Sequence, residues 1–278
     1  MRPSVAGLFV YPVKSCGGIA LPAAAVTERG LLHDREWMIV GAAGRPARFV
    51  TQREIPRLSL VRTALTDSSL VLSAPGMDDL AIEFGRAGDR IDATVWRDTV
   101  EAIDQGDAAA GWLSAFTGAD LRFVRFDPDV RRPCNTAFAG DSGAHTGFAD
   151  GYPLLVIGGA SLDDLNARLS ARGGMALPMN RFRPNLVLDG VEAYDEDHLA
   201  TIRIAGVELR LVKPCVRCQI TTTDQATALV GVEPLATLAG YRNNPRLGGV
   251  TFGMNAIVTA GAGAALGVGS PAEIDWAF

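Results

Sequence analysis

Apolar positions in the first 125 residues fall in short runs, bounded by Gly, Pro, Asp or Asn, over residues 5–11, 23–27, 37–40, 58–65, 70–72, 93–96 and 100–103. Runs of that length, rich in β-branched and aromatic residues, predict strands, and their spacing predicts a barrel or sandwich. The period changes at 107–117, where alanines, Trp112, Leu113 and Phe116 share one helical face, so a helix is expected there, followed by a strand over 121–126. The polar, Gly-rich stretch 127–150 predicts a long loop, and loops of that length are usually functional or mobile. A second block opens with an apolar strand at 154–157 and a helix whose start is signalled by the capping-box-like pair Ser161 and Asp164, with Leu162, Leu165 and Leu169 on one face and Gly173-Gly174 as its stop. Strands are expected again at 185–188, 201–204, 207–212 and 255–259, with a short helix after Glu233-Pro234. The fold class is therefore α+β and β-rich, with a boundary near residue 125 dividing the chain into 1–125 and 126–278.

Composition narrows the class. The chain has 278 residues, 48% hydrophobic and 21% charged, with a mean hydropathy of +0.16, which describes a globular chain able to build a packed core. A formal net charge of −5 and a pI near 5.3 exclude a general phosphate-backbone binder, so no nucleic-acid partner is expected. No run reaches the roughly 18 apolar residues of a membrane span. Pro3 and Tyr11-Pro12 interrupt the start before a signal-peptide core could form, which predicts a cytoplasmic protein with reduced thiols. Lysine is nearly absent: the two that occur, Lys14 and Lys213, each stand two positions before a cysteine. GC-rich codon usage explains the scarcity but not the placement.

Redox or metal chemistry has one candidate pattern, Cys215-Val216-Arg217-Cys218. It can be a dithiol, half of a zinc site, or the source of one thiolate for a soft metal. A thioredoxin-type dithiol should open a helix, but here a strand precedes and the β-branched run Ile220-Thr221-Thr222-Thr223 follows. Zinc needs further ligands, yet Cys16 and Cys134 are isolated and His33, His145 and His198 show no paired spacing. A single thiolate to a cofactor-held metal is the reading these counts support best. Lys213 and Arg217 flank the pair and are expected to lower a thiol pKa, and Asp224 is the one carboxylate beside it. Lys14-Ser15-Cys16-Gly17-Gly18 follows a strand and offers an ammonium, a hydroxyl and flexible backbone N–H groups, the ingredients of a small anion cradle. Asp34-Arg35-Glu36-Trp37 and Phe182-Arg183-Pro184-Asn185 each place an arginine at a strand edge, where a structural ion pair is the commoner role. No P-loop, nucleophile elbow or dinucleotide fingerprint is present.

Taken with Tyr11-Pro12-Val13, Phe49-Val50-Thr51-Gln52-Arg53, Ala160-Ser161-Leu162 with Asp164-Leu165-Asn166, Thr221-Thr222 and Phe252-Gly253, these motifs run in one order nearly end to end. The chain resembles MOSC-domain proteins preceded by a MOSC N-terminal β-barrel domain, a family similar to the mitochondrial amidoxime reducing component and its bacterial relatives. The resemblance implies an N-terminal β-barrel domain followed by a MOSC β-barrel domain with a few helices. It implies a molybdenum cofactor, a pterin dithiolene with a terminal phosphate, whose metal takes Cys218 as its protein ligand while Cys215 supports or is spare. Lys14, Ser15, Arg35, Arg183 and Arg217 would hold the pterin and phosphate, with backbone from Gly151, Tyr152 and Val216. Asn255 stands where better-known members carry an aromatic. Cys218 and Asp224 would be the catalytic residues. The implied reaction is two-electron reduction of an N-hydroxylated or related N-oxygenated small molecule, with electrons from a separate ferredoxin, flavin reductase or cytochrome. Pyridoxal phosphate binding is a further association of the family. A non-catalytic cofactor carrier or sulfur-transfer module is the alternative, and a plain dithiol oxidoreductase a third reading.

Overall fold

A computed structural model describes residues 2–277. Among the described residues the fold is β-rich with four α-helices, as the short apolar runs predict. Its largest sheet places the strands in the order Ile19–Leu21, Ser4–Val10, Leu186–Asp189, Leu154–Gly158, Gly249–Ala260, Val207–Val216, Leu199–Ile204 and Glu273–Trp276. Ser4–Val10 turns Val5, Leu8 and Val10 into the core, with a bulge between Val5 and Gly7 where strict alternation breaks. It pairs antiparallel with Leu186–Asp189, and Ala23–Thr27 pairs with Ala265–Gly267. The first thirty residues therefore share sheets with the second half of the chain. Between them, a five-stranded sheet runs Trp37–Gly41, Leu121–Phe126, Asp98–Asp104, Arg90–Val95 and Ala47–Arg48. Beside it Arg62–Leu65, Ser69–Ser73 and Leu80–Glu83 form an antiparallel meander, and Trp37, Leu58, Leu70, Leu113 and Phe123 fill the core that the two share.

Local signals are obeyed where no distant contact opposes them. The helix Asp107–Thr117 ends on Gly118 in the left-handed conformation, as a glycine after the last apolar turn leads one to expect. Four expectations are corrected. The run 58–65 splits into a 3-10 helix, Pro56–Leu60, and the strand Arg62–Leu65, because a proline presets the first helical turn. The stretch 127–150 is not all loop: Arg132–Pro133 pairs with His145–Thr146, and Thr136–Ala139 is a short helix capped by the Asn135 side chain. Ser161 is not a cap. The helix Gly159–Ala171 begins two residues earlier, and the Ser161 hydroxyl instead donates to Glu196 Oε2 at 2.7 Å while accepting from the Tyr194 N–H at 2.8 Å. A Cβ on residue 158 would stand 2.8 Å from that Glu196 oxygen, so glycine lets the chain turn from strand to helix there. Finally, the strand Val207–Val216 runs past 212 and carries Cys215 within it; the β-branched run that follows forms the 3-10 helix Gln219–Thr222.

Asn185 joins three segments at the centre of the large sheet. It is 1% exposed, and its N–H donates to Leu155 O at 2.8 Å while its carbonyl accepts from the Phe9 N–H at 2.9 Å. Its side-chain Oδ1 accepts from Arg35 Nη1 and from the Leu155 N–H, both at 3.1 Å, and its Nδ2 donates to Phe9 O at 3.2 Å. Replacing Asn185 with Ala would leave those buried groups without partners, a cost of about 1–3 kcal/mol for each unsatisfied group. Urea denaturation of Asn185→Ala should therefore show a loss of roughly 3 kcal/mol; a loss under about 1 kcal/mol would mean that the sheet closes without this residue.

Candidate functional site

Turns at the ends of several strands converge on one cleft. Lys14 and Ser15 come from the turn after Ser4–Val10, Arg35 from the turn before Trp37–Gly41, and Gly151 and Tyr152 from the segment before Leu154–Gly158. Arg183 precedes Leu186–Asp189, and Val216, Arg217 and Cys218 stand at the end of Val207–Val216. All of these, with Cys215 and Asn255, line the cleft. Ser15, Arg35 and Arg183 hold φ of +69, +47 and +57°, a left-handed backbone that costs non-glycine residues free energy and concentrates at functional sites.

Two guanidinium groups are fixed on one aromatic ring. Arg35 Cζ lies 4.3 Å and Arg183 Cζ 4.2 Å from the centre of the Tyr11 ring, within cation–π range. Gly18 makes room for that ring: a Cβ on residue 18 would overlap Tyr11 Cε1 at 2.3 Å. The two arginines are further held by bonds from Arg35 Nη2 to Arg183 O at 3.1 Å and from Arg183 Nη1 to Cys16 O at 2.6 Å. Burial and then the neighbouring Arg35 charge bring the Arg183 guanidinium down to about 10, and burial pushes the Tyr11 hydroxyl up to about 12. Such crowding of like charges marks a site built for an anion.

Lys14 is 6% exposed, and its ammonium donates to Phe148 O at 2.7 Å and Asp150 Oδ1 at 2.5 Å. Burial lowers its pKa, and the Asp150 carboxylate opposes that shift. Lys213 takes no part in the cleft; its ammonium sits 4.6 Å from the Phe138 ring centre, so only Arg217 of the two flanking cations reaches a thiol. Arg217 Nη1 donates to Cys215 Sγ at 2.9 Å and Nη2 to Phe182 O at 2.6 Å. Burial nevertheless raises the Cys215 pKa, and the Arg217 charge only moderates it, which corrects the expected lowering. Cys218 opens the 3-10 helix, with its carbonyl accepting from the Thr221 N–H and hydroxyl at 3.1 and 3.0 Å, and its side chain lines the cleft. Tyr152 turns its ring into a cluster with Cys134, Ala139 and Ile257, which leaves the backbone as its means of contact. Asn255 Nδ2 donates to Lys213 O at 3.1 Å.

Asp224 is placed outside the cleft lining. Its carboxylate caps the following turn through the N–H groups of Ala226 and Thr227 at 3.0 and 2.9 Å and receives Arg181 Nη1 at 3.1 Å. Arg181 Nε in turn donates to Thr221 O at 3.0 Å, so Asp224 meets the cysteine loop only through that arginine. His145 lies in a separate recess near Glu28, 3.9 Å from its carboxylate. Residues that sequence reasoning left out also line the cleft, chiefly Thr51, Arg53, Trp96, Asp150, Phe182 and Asn185. Thr51 and Arg53 share the motif Phe49-Val50-Thr51-Gln52-Arg53, and Phe182 and Asn185 flank Arg183 in theirs, but nothing in the run Val95-Trp96-Arg97-Asp98 signals a site. Five cations, Lys14, Arg35, Arg53, Arg183 and Arg217, thus face one lining carboxylate, Asp150, in a chain whose net charge is −5.

The model of the MOSC N-terminal beta barrel domain matches residues 2–120, and that of the MOSC domain matches residues 143–271. "Mitochondrial amidoxime reducing component 2" of Bos taurus is 35% identical over 249 residues, covering 86% of this chain and 72% of the relative. "Mitochondrial amidoxime-reducing component 1" of Homo sapiens is likewise 35% identical over 249 residues, with the same 86% and 72% coverage. "Molybdenum cofactor sulfurase" of Oryza sativa subsp. japonica is 32% identical over 268 residues, 89% of this chain but only 31% of that protein. Two domain models met in order, and relatives matched along most of their own length, carry the same conclusion as the motifs: this chain belongs to the MOSC-domain family that has an N-terminal MOSC beta barrel domain.

Proposed function

We propose that the protein is a molybdenum-cofactor-dependent oxidoreductase that reduces N-hydroxylated or related N-oxygenated small molecules, taking electrons from a separate donor protein. The observation that carries this reading is a cleft that joins one uncommitted thiol, Cys218, to a set of cations. The donor set fits the cofactor. A thiol suits a soft metal, and an ammonium with guanidinium groups suits a phosphate, each charge-assisted bond contributing roughly 1.5–3 kcal/mol. Arg217 Nε is buried with no partner of its own, a donor still owed an acceptor. When bound, the cofactor supplies two-electron redox chemistry at molybdenum.

Each residue then has a stated task. Cys218 holds the metal. Lys14, Ser15, Arg35 and Arg183 hold the pterin and its phosphate, the two arginines kept in place by Tyr11, and Arg217 adds a charge between the thiol loop and Phe182. The Gly151-Tyr152 and Val216 backbone and the Asn255 amide complete the walls. Asp224 acts on the thiol loop through Arg181, not on substrate. A dithiol role would need Cys215 as well, and that half-buried sulfur is already held by Arg217. Among the described residues no helix is long and apolar enough to cross a membrane.

Cys218→Ser should lose molybdenum and reduce amidoximes at background rate, while Cys215→Ser keeps its metal and most of its activity. Equal loss in both, measured by metal analysis and turnover with an artificial donor, would favour the dithiol reading. Lys14→Ala should weaken cofactor retention about 10- to 100-fold, the equivalent of one charge-assisted bond, and Lys213→Ala should leave it within twofold. Equal retention in the two variants, read from molybdenum per chain after dialysis, would remove Lys14 from the site.

A further inference from the structure

One wall of the cleft is left without a task by the cofactor contacts named above. It comes from the unit between Trp37 and Phe126, and Arg53 and Trp96 form it. Trp96 stands in the two-residue turn between Arg90–Val95 and Asp98–Asp104, whose ends Val95 and Asp98 pair. Its φ is +58°, an unfavourable conformation for an aromatic residue, which the surroundings must enforce. It is 44% exposed, yet its indole is pinned: Nε1 donates to Asp150 Oδ1 at 3.0 Å, and its ring centre lies 5.4 Å from that of Phe49.

Arg53 is held against this indole, with Cζ 4.6 Å from the ring centre, and its Nε donates to Thr51 Oγ1 at 3.2 Å. The Thr51 hydroxyl donates to Glu54 Oε2 at 2.6 Å, so the support is itself anchored. Lys14, Arg35, Arg183 and Arg217 each donate to protein acceptors. Among the described residues neither Nη atom of Arg53 has a protein hydrogen-bond or ion-pair partner. A planar guanidinium fixed by stacking and by Nε alone keeps its Nη edge for a ligand, and that edge matches a carboxylate or similar oxyanion. Asp150, the lining carboxylate, is drawn to Lys14 and Trp96 through Oδ1 and does not neutralise Arg53.

We propose that Arg53, positioned by Trp96, determines substrate specificity, selecting N-oxygenated small molecules that carry a carboxylate or comparable oxyanion away from the reducible N–O group. This rests on the reductase reading above. The test compares benzamidoxime with 4-carboxybenzamidoxime in the wild type, Arg53→Met and Arg53→Lys, with molybdenum per chain measured on each preparation. Arg53→Met should raise KM for the carboxylated substrate by about 10- to 100-fold, the worth of one charge-assisted contact, with kcat, molybdenum content and KM for benzamidoxime within twofold. Arg53→Lys should restore part of the KM. Equal changes for both substrates, or a loss of molybdenum marking Arg53 as a cofactor contact, would overturn the assignment. A second readout does not depend on turnover: benzoate should quench indole fluorescence saturably in the wild type, not in Trp96→Phe, and with at least tenfold weaker affinity in Arg53→Met. If neither amidoxime is reduced, the reductase reading fails while benzoate binding still decides the role of Arg53; no saturable benzoate binding in the wild type, or unchanged affinity in Arg53→Met, contradicts it.

Discussion

The hydrogen bonds of one buried asparagine hold the two ends of the site together. Asn185 joins the first strand, the strand beginning at Leu154 and the Arg35 turn, using both its backbone and both atoms of its amide. An amide is suited to this because it donates and accepts from one planar group; leucine could fill the space, but it would strand two backbone groups in the core. Because Asn185 fixes where the first strand lies in the sheet, it also fixes where that strand delivers Tyr11, Lys14 and Ser15. Arg183 is two residues away along the chain. The cleft is therefore a consequence of how the N-terminal strand enters the sheet of the second half, and neither half of the chain supplies it alone.

That placement creates an electrostatic problem which the fold solves with geometry. Cations gathered in a partly buried cleft repel one another and lose hydration, and the low Arg183 pKa records both costs. The Tyr11 ring face, backbone carbonyls, Asp150 and the buried Asp34 carboxylate, 2.5 Å from Arg35 Nη1, offset them without filling the cleft. Left-handed residues are the second device. Ser15, Arg35, Trp96 and Arg183 all line the cleft with positive φ, so the chain reverses sharply just where each side chain must project. An acidic surface around a basic cleft also suits a small anionic ligand better than a polyanion, whose charge would meet the acidic exterior.

The parts of the structure that could be read from sequence are those governed by near neighbours. Ala23–Thr27, Leu121–Phe126 and the helix Asp107–Thr117 have bounds that follow from apolar period and flanking turn residues. Ser161 is misleading because a distant carboxylate, Glu196, competes for its hydroxyl, and in the β-branched run after Cys218 β-propensity yields to the bonds that Arg181 makes to its carbonyls. Within the site, Lys14, Arg35, Arg183 and Cys218 stand in motifs rich enough to be noticed. Trp96 and Asp150 do not: a tryptophan in a tight turn breaks the usual Asn-Gly signature, and a lone aspartate in a polar loop resembles any solvated one. Asp224 shows the opposite failure, since proximity along the chain to a reactive pair did not bring its carboxylate into the cleft.

The central claim is that this cleft holds a molybdenum cofactor through Cys218. It is tested most directly by molybdenum and pterin analysis of the protein purified from a cofactor-competent host, alongside the Cys218→Ser variant. One molybdenum and one pterin per chain, with the metal lost or its spectroscopic signature altered in the variant, is the predicted result; protein free of molybdenum, or a variant indistinguishable from wild type in metal content and spectrum, would contradict the account.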